Sequence, residues 1–158
     1  MFANARIHRT WLVLCAVLLL AFGLGACTVK LVADYDEATF NEVLRVGKEV
    51  DRFYGMLLEV PEGQRPYATY AKQYVDIETD IRSLVTRNQA RPLNKESTQI
   101  SETILKLWIK YKDKHEAKNA YPTAVAKLDR HRFQRLFRAA AAAEEAKKLK
   151  PGDTDVSQ

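Results

Sequence analysis

The run YATYAKQYVDIETDIRSL, residues 67–84, decides the fold. Its apolar and aromatic positions, Tyr67, Tyr70, Tyr74, Ile77, Ile81 and Leu84, follow one another at steps of 3, 4, 3, 4 and 3. Such steps keep successive side chains on one face of an α-helix, and their strict alternation makes a narrow seam of coiled-coil type. A strand is excluded, because its faces alternate every second residue. The three tyrosines share their line with Ile77, Ile81 and Leu84, so core packing explains them better than an aromatic platform for sugars. Asp76, Glu78 and Asp80 flank the seam and read as a solvated face, not as paired hydrolytic carboxylates.

The same logic extends in both directions. Pro61-Glu62-Gly63-Gln64-Arg65-Pro66 is a turn ahead of this helix. Before the turn, Asp36 is placed to cap a first helix, Glu37 complements its dipole, and Tyr35 can staple onto Phe40. Phe40, Val43, Gly47, Val50, Tyr54 and Leu57 carry its apolar face, widened by Leu44, Phe53 and Leu58. A mid-helix glycine costs about 1 kcal/mol against alanine, so Gly47 predicts the close approach of another helix. Beyond the seam, Asn88 to Lys95 is a loop, and Ser97 or Thr98 is the expected cap of a third helix. That helix aligns Ile100, Ile104, Leu107 and Tyr111, with Thr103, Leu105 and Trp108 beside them. Asn119 and Pro122 separate it from a fourth helix bearing Val125, Leu128, Phe133, Leu136, Phe137 and Ala140. Pro151-Gly152 closes the last helix and leaves 151–158 as a disordered tail. No segment alternates with period two over strand length. The fold class is therefore all-α, an antiparallel up-down bundle of about four helices over residues 36–150.

The N-terminus carries a different signal. Arg6, His8 and Arg9 precede an unbroken apolar run from Trp11 to Phe22, followed by Gly23 to Cys27. The run falls short of the roughly 20 apolar residues a spanning helix needs, and the three-part layout is that of a secretory signal. Leu24-Gly25-Ala26-Cys27 has the form of a lipobox, with small residues before a cysteine that takes diacylglycerol. Over residues 1–28 the chain resembles the bacterial lipoprotein class. The resemblance implies that residues 1–26 are a signal peptide removed by cleavage. It also implies that Cys27 becomes an acylated N-terminus and that 27–35 form the lipidated cysteine and tether. The membrane would then be a partner through the lipid anchor, and lipid on Cys27 would be the sole covalent group, with no other cofactor. Thr28 stands where an aspartate would favour retention in the inner membrane, so the implied address is the periplasmic face of the outer membrane. The cysteine count agrees: of two cysteines, Cys15 leaves with the signal and Cys27 is consumed, so the mature domain has neither thiol nor disulfide. Thr28 to Ala33 spans at most about 25 Å, which holds the domain close to the bilayer. Tyr35-Asp36, with Arg87, Pro92, Asn94 and Thr98 further on, also resembles a group of uncharacterised Gram-negative all-helical lipoproteins. That resemblance brings no activity with it.

Chemistry-bearing motifs do not survive inspection. The Glu-x-x-His pairs of di-iron bundles are missing, as are His-Glu-x-x-His, Cys-x-x-Cys-His, Gly-x-Ser-x-Gly and a phosphate-binding glycine loop. Met56 and His131 could lie at one end of the bundle as haem ligands, but a core methionine with a solvated histidine explains them better. The expectation is a protein that is not an enzyme and has no metal site. Charge is the informative remainder. The full chain carries +5, and loss of Arg6 and Arg9 leaves 23 basic against 20 acidic residues. This excess is too small to imply nucleic acid, which a periplasmic protein does not meet. The charges are segregated, with net −5 from Asp34 to Glu62 and net +7 from Lys106 to Arg138. Lys106, Lys110, Lys114 and Lys118 stand four apart, and Arg132, Arg135 and Arg138 three apart. Either the first helix covers these cations or an external anion does, namely membrane phosphate, an acidic protein or cell-wall carboxylates. The expected function is a non-catalytic envelope interaction or scaffold protein. A periplasmic inhibitor or immunity lipoprotein is the alternative, and a cell-wall-active enzyme ranks last.

Overall fold

The computed structural model describes residues 31–149. The lipobox, Cys27, the predicted tail at 151–158 and the last position of the predicted bundle, Lys150, lie outside them. Four α-helices follow in order: α1 (Glu37–Glu59), α2 (Tyr67–Gln89), α3 (Lys95–Lys118) and α4 (Thr123–Glu145). Short 3-10 turns occupy Glu62–Gln64 and Ala146–Lys148, and the described residues contain no strand. Each helix runs antiparallel to its neighbours. α1 packs chiefly on α4 and α2 on α3, while α1 and α3 face each other only across the diagonal.

Local chemistry sets the boundaries. The Asp36 carboxylate accepts from the Ala38 N–H at 3.0 Å and from the Thr39 hydroxyl at 2.7 Å, which caps α1 as expected. The Tyr35 and Phe40 rings lie 6.2 Å apart and form the staple. Pro66 and Pro122, in extended backbone, open α2 and α4. Asn119 ends α3 at φ 46°, in the left-handed region asparagine tolerates.

The seam of α2 faces inward as read. Tyr70, Tyr74, Ile77, Ile81 and Leu84 are buried against Val46, Val50, Phe53, Tyr54 and Leu57 of α1. Trp108 fills the centre, with Phe53, Tyr54, Tyr74 and Phe133 ring centroids 5.2 to 6.4 Å away, and its indole N–H donates to the Tyr74 carbonyl at 3.1 Å. The expectation at Gly47 is met: a Cβ there would lie 3.0 to 3.2 Å from carbons of Phe137, so α1 and α4 approach over it.

Four expectations need correction. α3 begins a turn before the expected cap, because Asn94 turns its amide back onto the carbonyl and side-chain oxygen of Asn88, and Thr98 bonds the Asn94 carbonyl from inside the helix. Its inner line runs through Ser97, Ser101, Ile104, Trp108, Tyr111 and His115, so Trp108 is central rather than lateral. In α4 the inner line passes through Ala126 and Asp129, which leaves Val125 and Leu128 half exposed. Met56, expected in the core, is a surface residue, while His131 is exposed as expected.

Candidate functional site

An α-helix turns 100° per residue, so a step of four overshoots a full turn by about 40°. The stripe Lys106, Lys110, Lys114, Lys118 therefore rolls around α3 as it descends. Two fixed contacts give the direction of the roll. Lys112 meets Glu78 at 2.6 Å and marks the side toward α2, and Tyr111 meets Arg132 at 2.9 Å and marks the side toward α4. The stripe starts on the outer surface at Lys106 and ends at the α3–α4 groove at Lys118. All four lysines are exposed, and among the described residues none makes an ion pair. Neither Glu102 nor Asp113, each three or four residues from a lysine of the stripe, pairs with it; Glu102 accepts from Gln89 instead. Past its first turn, the acids of α3 are Glu102, Asp113 and Glu116, and all lie on the α2 side of the stripe.

The arginine run behaves differently. A step of three falls short of a turn by about 60°, so Arg132, Arg135 and Arg138 do not form one stripe. Arg132 leans into the groove, where it bonds the Tyr111 hydroxyl and, at 3.0 Å, the Asp129 carboxylate. Arg135 stands beside it, exposed. Arg138 continues the line of Arg130 and Gln134, which reaches Asp51 on α1, so it belongs to the other side of α4. Pairing of the cations with α1 is thus real for one residue outside the predicted set: Arg130 grips Asp51 with two bonds of 2.8 and 2.7 Å. The lysines of α3 are diagonal to α1 and have no such access. The site that emerges is an α3–α4 face with Lys110, Lys114 and Lys118 on one wall and Arg132 and Arg135 on the other. Val125 and Leu128, 44% and 48% exposed, lie on the α4 wall.

At its loop end this face opens into a cavity of about 150 Å³, with Lys114, Lys118 and Val125 at the rim and Tyr111, Tyr121 and Asp129 beneath. The base is a buried network. The Tyr121 hydroxyl donates to Asp129 at 2.8 Å and therefore accepts from the Tyr54 hydroxyl at 3.2 Å. Burial pushes the Tyr54, Tyr74 and Tyr121 phenols well above their ordinary range. His115 lies alongside. Its Nε2 meets the Arg65 carbonyl at 2.9 Å, an acceptor only, so Nε2 carries the proton and Nδ1 accepts from the Tyr74 hydroxyl at 3.0 Å. Desolvation lowers the His115 pKa below its ordinary value and keeps the ring neutral. Both ring nitrogens are thus engaged, which leaves no lone pair for a substrate. Buried Arg65 completes the set, donating to the Val60 and Tyr121 carbonyls.

A second polar cluster closes the opposite end. Buried Glu144 accepts from the Asp36 N–H at 2.9 Å, from Arg91 at 3.0 Å and from Lys147 at 2.5 Å. Lys147 also reaches Asn94 and Ser97, while Arg91 donates to the Asp34 carbonyl. Sequence reading missed both clusters. Glu144, Lys147 and Asp129 carry no motif, and only their 3–4 register with buried positions of α4 marks them.

Among the described residues no group of three or more His, Cys, Asp or Glu is placed to hold a metal ion. No described helix is long and apolar enough to cross a membrane. Cys27, the predicted lipidation site, is outside the described residues. No family model, curated protein or solved structure matches this chain.

Proposed function

We propose that the protein is a membrane-anchored periplasmic lipoprotein, an interaction or scaffold protein of the envelope, and that its α3–α4 face binds an acidic protein surface. It works by binding and not by catalysis, with lipid on Cys27 as its only covalent group. One observation carries the reading: among the described residues, Lys110, Lys114, Lys118 and Arg135 form a face without exposed acids and without an ion-pair partner. Like charges four apart on a helix cost about 0.2–0.5 kcal/mol per pair, so an external anion relieves them. Position narrows the partner. The chain enters at the Lys95 end of α3, and Lys110 to Lys118 lie about 22–35 Å further along at 1.5 Å per residue. Phosphates of the anchoring bilayer reach that stretch only if the bundle lies flat along the membrane. Val125 and Leu128 among the cations suit a partner with apolar side chains as well as carboxylates, which a hydrophilic wall polymer lacks.

A photo-crosslinker at Val125 in intact cells tests this. It should capture a discrete acidic protein at low salt. Changing Lys106, Lys110, Lys114 and Lys118 to Gln should abolish capture while leaving the melting temperature unchanged or raised. Unchanged capture in that variant at low and high salt removes the face from the functional argument. Capture of cell-wall polymer alone replaces the protein partner with a carbohydrate one. The anchor is tested separately: alkyne fatty acid should label the wild type and not Cys27→Ala.

A further inference from the structure

We infer that the end of the bundle bearing Val32, Leu93 and Leu149 docks on the phospholipid surface that holds the anchor, with these three side chains inserted at the headgroup–acyl boundary. The inference rests on the lipoprotein reading of Cys27 and adds an orientation to it.

The fold brings the three residues to one place. The Ala33 N–H donates to the Leu93 carbonyl at 3.0 Å, which puts Val32 beside the α2–α3 loop. Glu144 and Lys147 tie the end of α4 to Asp36 and Asn94, which puts Leu149 at the same end. All three side chains are open to solvent, at 49%, 49% and 74%. Leu93 adds an independent sign. Its φ is 58°, and Leu93 and Asn119 are the only non-glycine residues with positive φ among those described. Asparagine suits that conformation; leucine costs roughly 1–2 kcal/mol there. Its carbonyl takes the Ala33 N–H, while about half of the side chain stays open to solvent. A strained backbone that presents an apolar side chain at a loop tip is a functional arrangement.

The length of chain identifies what covers this end. Five chain steps lead from Cys27 to Val32, a reach of at most about 18 Å, so an acylated Cys27 places the bilayer against this end of the bundle. Acids and bases are mixed here, with Glu37, Glu96 and Glu145 exposed beside Lys95 and Lys148. Apolar insertion rather than attraction to anionic headgroups therefore holds the contact, and neither salt nor the anionic lipid fraction should release it.

The test uses the full chain, expressed with its own N-terminus, extracted in detergent and reconstituted into phosphatidylethanolamine–phosphatidylglycerol vesicles with or without brominated acyl chains. Leu93→Trp and Leu149→Trp place a reporter at this end, Ala120→Trp places one at the other, and wild type gives the baseline from buried Trp108. With an apolar face seated ~5–10 Å into the boundary, bromine should quench the added signal of Leu93→Trp and Leu149→Trp about twofold and spare Ala120→Trp. Equal quenching at positions 93 and 120, with fatty acid still on Cys27, overturns the docking and leaves the lipoprotein reading intact. No fatty-acid label overturns both. Leu93→Asn separates strain from packing: it should raise the melting temperature in detergent and lose the quenching of a Leu149→Trp reporter. A lowered melting temperature would make Leu93 a bundle-packing residue and count against the inference.

Discussion

At the end where the chain enters, Glu144, Lys147, Arg91 and Asn94 hold α1, α4 and the α2–α3 loop together by charge. At the opposite end, Tyr54, Tyr121, Tyr74 and His115 hold the helix termini through neutral groups, joined by two charged ones, Asp129 and buried Arg65, which bond hydroxyls and carbonyls across the network. Both ends satisfy buried polar atoms, and they differ in what disturbs them. Removing one member of a buried ion cluster strands the others in a poorly solvating interior. Removing one hydroxyl or amide from a neutral network leaves a single weaker deficit. The charged end therefore fixes which segments meet, at high cost when broken, and the aromatic end is the one that responds to pH.

Breaking the charged end should give the largest effect. Glu144→Gln leaves Lys147 and Arg91 without their buried counter-charge and should cost about 3–5 kcal/mol, a large share of the 5–15 kcal/mol typical of a domain. Urea unfolding checks it, and a loss below 1 kcal/mol would erase the contrast between the ends. Asp129→Asn should come next, at about 1–3 kcal/mol, because Tyr121 loses its charged acceptor while partly exposed Arg132 turns to water. The smallest effect is the pH response of the aromatic end. His115 is neutral in the fold with a lowered pKa, so the unfolded chain binds the extra proton first as pH falls. The stabilisation is fully present above the unfolded value near 6.5 and is lost as pH drops from there toward the folded value. Melting temperature should fall between pH 7.5 and 5.5, above the range where carboxylates titrate, and His115→Gln should flatten that slope. An identical slope in the variant would place the pH response elsewhere.

How much of this was legible depends on how polar the inner line of each helix is. α2 reads directly, since tyrosine, isoleucine and leucine occupy every seam position. α4 does not, since Ala126, Asp129 and Glu144 lie inside while Val125 and Leu128 lie out. A pattern of apolar residues is blind to a core that is partly ionic. The same blindness hid His115, which reads as one more surface residue of a charged helix until Tyr74 and the Arg65 carbonyl are seen on its two nitrogens. The lysine stripe was legible because its spacing is close to the helical period. The arginine run was not a stripe, because steps of three slip around the cylinder. Charge segregation along the chain was real, but covering α3 with α1 conflicted with the up-down order itself, which places those helices on a diagonal. The grip of Arg130 on Asp51 is the part of that complementarity the topology allows.

The cluster around Glu144 also decides how the molecule answers a mechanical load. A pull on the N-terminal segment reaches Ala33 first, where the strand of force divides. One branch enters the α2–α3 loop through the bond to the Leu93 carbonyl and the grip of Arg91 on the Asp34 carbonyl, and the other enters α4 through Glu144 and the Asp36 N–H. The first turn of α1 is thus bypassed. Tension is shared in parallel between the α2–α3 loop and α4, so the bundle should give way by shearing of its end rather than by peeling one helix turn after another.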